Sequence, residues 1–490
     1  MLFGLILVSK LFLVQVVHGG IYAEKADHQS ITPADGVYER GTIYFSNKEG
    51  ELILGATQIS GNKVAINPGK IGDPLLLYQK LSAIVPMDQE DFMARAQKQN
   101  DPYEEILKRV SKEDAEAIAK LKLKGVSIIK EKWRVYPGGS MASHLLGLVG
   151  WRGEEYGGRY GIENNYNTEL SRVNTNLYTN FFVEIFSNVN QTLFSEESRE
   201  GDVVTTIEPQ VQGFLENKLT EVKEKYRVDS IGGIIMNPKD GSIYALASKP
   251  DFDPNDFSKV EDPKVFSNPL IESVFEFGSV VKPLVMAGAL DAGAVKASTT
   301  YTDRGSVIVE KKEIFNFDKK ARGPNTSMQE VLNQSLNTGM VFVEQKLGRE
   351  KLKEYLSAFG IKDKTGIDLP NETSGLVSNF FNSSREIESA NAAFGQGIAL
   401  TPIGMVRALA SLGNGGNMVV PHVVKSIKYA DGTSKVMEYP TTPTKISKQS
   451  AEEITRMLVG VMDDSLKEGK AKFEHFSVAV KTGTAQVANN

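Results

Sequence analysis

Three short polar patterns follow one another in the second half of the chain: Ser279-Val280-Val281-Lys282, Ser335-Leu336-Asn337 and Lys481-Thr482-Gly483-Thr484. If they act together, the fold must return three distant segments to one point. The residue types carry a chemistry. A serine hydroxyl is a weak nucleophile and needs a base within hydrogen-bond reach. On a helix a spacing of three puts Lys282 on the same face as Ser279. Burial or a neighbouring cation can lower a lysine toward neutrality, so Lys282 could serve as that base. A second serine can relay a proton to a leaving amine. A cation with hydroxyls beside a strand suits a substrate carboxylate.

Each pattern alone is weak. Ser60-Gly61-Asn62-Lys63 and Ser127-Ile128-Ile129-Lys130 also read S-x-x-K, Ser60-Gly61-Asn62 reads S-x-N, and Lys364-Thr365-Gly366 repeats K-T-G. Context separates them. The first lies in an expected glycine–asparagine turn. The second lies in a strand-like run, where a spacing of three points side chains to opposite faces. Lys481 directly follows the apolar run Val478-Ala479-Val480, whereas Lys364 precedes Ile-Asp-Leu-Pro.

With 490 residues, the chain is long enough for roughly three domains at about 150 residues each. Its 41% hydrophobic and 24% charged residues are an ordinary globular balance. A net charge of -5 with no basic stripe argues against nucleic-acid binding. The absence of cysteine excludes disulfides, thiol nucleophiles and thiolate metal sites. The five histidines are scattered, so neither a metal nor another cofactor is expected. Met1 to Val17 is apolar except for Ser9, Lys10 and Gln15. A spanning helix needs about 20 mostly apolar residues. The run is slightly shorter than that, yet residues 1–20 are expected to be a membrane anchor, the alternative being an amphipathic or core helix, with the remainder outside the cytoplasmic membrane.

Beyond the anchor, Ser46, Asn47 and Gly50 separate two strand-like runs and predict a hairpin. Residues 88–124 are charged, alanine-rich and helical in spacing. VSIIKEKWRV returns to strand, and ASHLLGLVG to a helix or apolar turn. Near Gly201 a new alternation begins: strand GDVVTTI, helix EPQVQGFLENKLTEVKEKY, then two strands around Lys239-Asp240-Gly241. A helix follows Gly278, with more helices to about residue 415, and HFSVAVKTGTAQVANN is strand-like up to Lys481. The expected domains are 36–200, β-rich, and 201–490, an α+β domain with an antiparallel sheet flanked by helices.

At this point the chain resembles the class B penicillin-binding proteins, monofunctional peptidoglycan D,D-transpeptidases that carry this ordered trio. ERGTIYFSNKEGELI, PYEEILKRV, YPGGSMASHLLGLVG and YGIENNYNTEL resemble the family's N-terminal pedestal. GDVVTTIEPQVQ, IMNPKDGSIYALASKPDFDPN, FEFGSVVKP and AFGQGIALTPIGMVRALASLGNGG resemble its transpeptidase domain, related in fold to serine β-lactamases. The resemblance implies that Ser279 attacks the penultimate D-alanine carbonyl of a stem peptide, with Lys282 as general base and Ser335 as proton shuttle. Asn337 would bind the substrate backbone, and Lys481, Thr482 and Thr484, with Gly483 between them, the terminal carboxylate. The amides of Ser279 and Thr484 would form the oxyanion hole. Implied partners are stem peptides, β-lactams, the membrane, a lipid-linked glycan polymerase and other division or elongation proteins.

Phe277, Val280 and Leu336 depart from the family's usual residues, and Val280 and Leu336 are expected to alter substrate or β-lactam fit. Only six residues follow Thr484, fewer than the family's remaining strands and packing helix, so a C-terminally truncated fragment is expected. A D,D-carboxypeptidase and a non-enzymatic β-lactam sensor or scaffold are the alternative functions. A class A β-lactamase is disfavoured because no E-x-x-L-N lies between Asn337 and Lys481. The stretch before Gly36 is too small for a glycosyltransferase domain.

Overall fold

The computed structural model describes residues 39–98, 100–153, 155–172, 200–466, 470 and 472–485. The expected anchor lies outside these residues, and among them no helix is long and apolar enough to cross a membrane. The described chain forms two compact units, and neither is one continuous stretch of sequence.

The first unit is built on Thr57–Val135, with the short antiparallel pair Glu39–Arg40 and Ser171–Arg172. Its sheet is the later part of the strand Leu52–Ile66, paired antiparallel with Val126–Val135 from Thr57↔Val135 to Ile66↔Val126 and with Glu104–Val110. Three helices cover one face, each started by an acidic or serine cap, the preferred partners of free N–H groups. Asp73 caps Pro74–Ser82, Asp88 caps Gln89–Ala96 and Ser111 caps Lys112–Lys120. They bury Leu81, Phe92 and Ile118 against Val64, Ile66 and Val110.

Two expectations fail here. Within 88–124 the segment Glu104–Val110 is a strand, because its backbone pairs with the long strand and Leu107 and Val110 are buried in the same core as the helices. Ser60-Gly61-Asn62 is mid-strand, not a turn. Gly61 is small there because Trp133 lies over it: a methyl at Gly61 would stand 2.6 Å from the indole.

The second unit holds Thr42–Ala56, Tyr136–Leu170 and the described residues from 200 onward. The expected hairpin is present as Ile43–Ser46 against the start of the long strand, Ser46↔Leu52. Ile43–Ser46 also runs parallel to Gly201–Thr205, which pairs antiparallel with Val424–Tyr429. Behind this sheet Ile43, Phe45, Val203, Val424 and Ile427 pack with Leu145, Leu146 and Ile162. The buried Asp368 carboxylate ties the start of the Val424 strand, accepting from Val423 N, Val424 N and the hydroxyls of Tyr166 and Tyr439.

Farther along, Ile231–Met236 and Ile243–Lys249 form the predicted antiparallel pair, with the 18-residue helix Pro209–Tyr226 against it. The largest core surrounds Lys282–Asp291, in which every residue from Lys282 to Ala289 is buried. Such all-round burial fits a central helix; each buried Leu, Val or Met contributes about 2 kcal/mol by its apolar area. Asn337–Leu347, Arg349–Ala358, Pro402–Gly413 and Lys448–Gly460 pack around it. The helical reading of 278–415 missed four short strands, Thr300–Asp303, Ser306–Val309, Lys312–Phe315 and Gly323–Ser327, which form two small antiparallel pairs. Their alternation is too short to register in a helical window. Nor is the run ending in Lys481 a strand: residues 474–485 carry no ladder pairing among the described residues, and Val480 N donates only to Leu458 O, in a helix.

Candidate active site

Ser279 lies in the tight turn Gly278–Val281, immediately before the central helix. In a 3₁₀ turn the side chains at i and i+3 eclipse, so Ser279 and Lys282 are brought to one side even more directly than on an α-helix. Among the described residues the Ser279 side chain makes no hydrogen bond, and it is only partly buried. Its hydroxyl is free for a ligand.

The second motif is held differently. Helix Met328–Asn333 starts on a Ser327 cap and ends in a left-handed turn, with Leu336 N donating to Val331 O at 2.9 Å and Gln334 N to Glu330 O at 2.9 Å. Ser335 takes the left-handed position, φ +55°, which usually goes to glycine. A residue with a Cβ there costs about 1 kcal/mol or more. Serine at that position brings its Oγ within reach of both Lys282 and Lys481. Leu336 is fully buried in the core, so it does not face the cleft and the expected effect on ligand fit is withdrawn for it. Its apolar side chain anchors the turn between two polar neighbours.

The three motifs converge on Lys282. This side chain is fully buried, and its Nζ donates to Ser335 O at 2.6 Å, Asn337 Oδ1 at 2.8 Å and Ser335 Oγ at 3.2 Å. An ammonium has three protons, and three acceptors are present. Lys481 Nζ reaches the same Ser335 Oγ at 3.0 Å and Thr482 O at 2.9 Å, with a longer contact of 3.4 Å to Thr482 Oγ1. Burial, then the positive charge of Lys481, hold Lys282 well below the usual lysine range. Burial alone lowers Lys481 to about 8. Two cations therefore share one hydroxyl, and the more deeply buried one loses its proton more easily.

The third motif closes on the nucleophile turn. A methyl on Gly278 would stand 2.3 Å from Thr484 O, and one on Gly483 would stand 2.5 Å from Val280 Cγ2. Gly278 has φ +52°, so both its backbone shape and its neighbour exclude a side chain. Gly395, in the A-F-G-Q-G stretch, lies on the other side: a methyl there would stand 2.0 Å from Gly278 O. Its part in shaping the site escapes a motif-by-motif reading, and the paired glycines of that stretch are the signal that marks it. The carbonyl of Phe315, which accepts from Asn337 Nδ2 at 2.9 Å, carries no sequence signal at all.

The spare K-T-G shows what such a sequence does when satisfied internally. Thr365 N and Oγ1 and Gly366 N all donate to the carboxylate of Glu372, at 2.5, 2.5 and 3.0 Å. That site is filled by the chain itself. The spare S-x-x-K patterns lie in strands of the first unit.

The strained turn gives a direct prediction. Ser335→Gly is expected to be more stable than Ser335→Ala by about 1 kcal/mol, because only glycine accepts φ +55° freely. Both should lose acylation by a β-lactam about 100-fold, the scale of a lost proton-transfer group. Thermal unfolding and stopped-flow acylation would check the two halves separately.

Residues 231–490 match the family described as the penicillin-binding protein transpeptidase domain, and residues 37–205 match the penicillin-binding protein dimerisation domain. Stage V sporulation protein D of Bacillus subtilis (strain 168) is 30% identical over 91% of this chain and 69% of its own length. Peptidoglycan D,D-transpeptidase FtsI of Escherichia coli (strain K12) is 24% identical over 99% of this chain and 81% of its own. The crystal structure of penicillin-binding protein 2X from Streptococcus thermophilus shares the fold with a TM-score of 0.74 at 22% identity, over 92% of this chain and 71% of that one. With a dimerisation domain ahead of a transpeptidase domain, the chain belongs to the class B penicillin-binding protein family.

Proposed function

We propose that this protein is a serine D,D-transpeptidase that cross-links peptidoglycan stem peptides during division or elongation of the cell. The observation that carries the reading is the convergence of Lys282, Ser335, Asn337 and Lys481 at the start of the helix that follows the Ser279 turn. The name of the Escherichia coli relative supports the substrate class.

In this reading Ser279 Oγ attacks the carbonyl of the penultimate D-alanine, and Lys282 takes its proton. A neutral Lys282 has two N–H donors and one lone pair, so it can keep two of its three present contacts and still accept a proton. The tetrahedral oxyanion is held by the amides of Ser279 and Thr484. As the C–N bond breaks, Ser335 passes its hydroxyl proton to the departing amine and takes in turn the proton held by Lys282, and D-alanine leaves. An amine from a second stem peptide then attacks the acyl-enzyme, forming the cross-link and restoring Ser279–OH. Lys481, cationic below about pH 8, with Thr482 and Thr484 around Gly483, holds the terminal carboxylate, as Thr365 and Gly366 hold Glu372. Asn337 aligns the peptide backbone. The same nucleophile takes a β-lactam, whose ring opens onto Ser279.

Anchoring through residues 1–20, a catalytic domain outside the cytoplasmic membrane, and a lipid-linked glycan polymerase as partner belong to the same proposal. The domain limits 36–200 and 201–490 do so too. A D,D-carboxypeptidase would use water in place of the amine, and a sensor or scaffold would not turn over. The deciding experiment incubates the protein with a peptide ending in D-Ala-D-Ala and an acceptor amine. Release of D-alanine with the amine adduct supports the transpeptidase. Release with only the hydrolysed peptide supports the carboxypeptidase, and no release overturns both.

A further inference from the structure

The turn that presents Ser335 and Asn337 is held from behind by a buried polar cluster outside the three motifs. Asp303 ends the strand Thr300–Asp303 and is only 1% exposed. Its Oδ1 accepts from Gly305 N at 3.0 Å, Thr338 Oγ1 at 2.8 Å and Asn316 Nδ2 at 3.1 Å. Its Oδ2 accepts from Arg322 N at 2.9 Å and Asn316 Nδ2 at 3.0 Å. Asn316 Oδ1 in turn accepts from Thr338 N at 3.2 Å, and the hydroxyls of Tyr301 and Thr338 share a hydrogen bond at 3.0 Å.

These bonds grip both ends of the Ser335-Leu336-Asn337 turn. On one side Thr338 follows Asn337 in the first turn of its helix, so fixing Thr338 N and Oγ1 fixes the direction of the Asn337 side chain. On the other, Arg322 Nε donates to Gln334 Oε1 at 2.5 Å, and Gln334 immediately precedes Ser335. Arg322 is itself fixed by both carboxylate oxygens of Asp318, at 2.9 Å each. Phe315, whose carbonyl holds Asn337 Nδ2, lies next to Asn316.

We infer that Asp303, acting through Thr338, Asn316 and Arg322, is a positioning residue that sets Ser335 and Asn337 against Lys282 for acylation. The physical ground is that buried, fully satisfied polar networks admit one geometry, whereas apolar packing tolerates small shifts. A shift of about 1 Å at a reacting group costs on the order of 100-fold in rate. The inference rests on the proposed acylation of Ser279.

The test measures acylation by benzylpenicillin, separating the rate constant at saturation from the half-saturating concentration, below the unfolding temperature of every variant. Asp303→Asn keeps the size but puts an amide where an acceptor is needed. Thr338→Val keeps the shape and removes the hydroxyl, and Thr338→Ser restores it. Val343→Ala, a fully buried position of the same helix, removes packing without touching the network. The expected result is a saturating rate at least 10-fold lower for Asp303→Asn and Thr338→Val, while Thr338→Ser and Val343→Ala stay within threefold of the parent. Parent-like acylation by folded Thr338→Val would overturn the inference, as would an equal loss in Val343→Ala or no rescue by Thr338→Ser. If Asp303→Asn does not fold, the threonine pair decides. Absence of acylation in the parent protein would instead count against the proposed function.

Discussion

Replacing Lys282 by either arginine or methionine is expected to lower acylation of Ser279 about 1,000-fold, the scale of a lost general base. Arginine keeps the charge and cannot give up its proton, whereas methionine keeps the approximate length and has no proton to exchange. If both fail alike, the function lost is proton acceptance and not charge. The same reasoning sets the pH profile. Burial and the charge of Lys481 lower Lys282, so its free amine is available well below the usual lysine range. Acylation by a carboxylate-bearing β-lactam should rise as pH passes through that lowered value. It should fall again as Lys481 loses its charge near pH 8. Stability follows a different course. Between the folded pKa of each lysine and its unfolded value the unfolded chain binds more protons, so stability rises with pH across that window. For Lys481 the window runs from about 8 to the ordinary lysine value of 10.5. Acylation rates and unfolding midpoints from pH 5 to 10 would check both signs.

Gly278→Ala is expected to cost about 100-fold in acylation, the penalty for displacing a reacting group by roughly 1 Å. The new methyl would meet Thr484 O at 2.3 Å and would have to hold φ +52°. Either the nucleophile turn or the K-T-G segment must move, and in both cases the close approach of Gly278 to Thr484 O is lost. The neighbouring Gly278 carbonyl is crowded by Gly395 on its far side, so relief in that direction is closed. An acylation rate close to the parent's would mean that the Thr484 segment does not take part in the reaction.

How much of this was legible in sequence depends on the range of the interaction involved. Ser279 and Lys282 are three residues apart, so their shared side of the turn follows from local geometry, although Lys282 Nζ donates to Ser335 and Asn337 and not to Ser279. Ser335, Asn337 and Lys481 could be recognised by order and context, because a spare K-T-G followed by Ile-Asp-Leu-Pro differs visibly from one after Val-Ala-Val. The strand Glu104–Val110 escapes a local reading because its charged, helix-forming residues are overruled by pairing with a strand far earlier in sequence, from Asn62↔Val110 to Ile66↔Glu104. Gly61 read as a turn because a lone glycine does not disclose that a tryptophan covers it. Leu336 read as a cleft residue because a three-residue motif gives no direction for its middle side chain; burial supplies it. Asp303 was invisible, since an isolated aspartate before Arg-Gly looks like an ordinary turn until the chain places Asn316, Arg322 and Thr338 around it.

The central claim is that Ser279 is a nucleophile activated inside this cluster. Intact-mass measurement of the protein after incubation with benzylpenicillin tests it most directly, with Ser279→Ala beside it. The account predicts one covalent adduct with the full mass of the β-lactam on the parent protein and none on Ser279→Ala, whose fold should be unchanged because the hydroxyl makes no hydrogen bond among the described residues. An adduct of equal yield on Ser279→Ala, or none on a correctly folded parent, would contradict it.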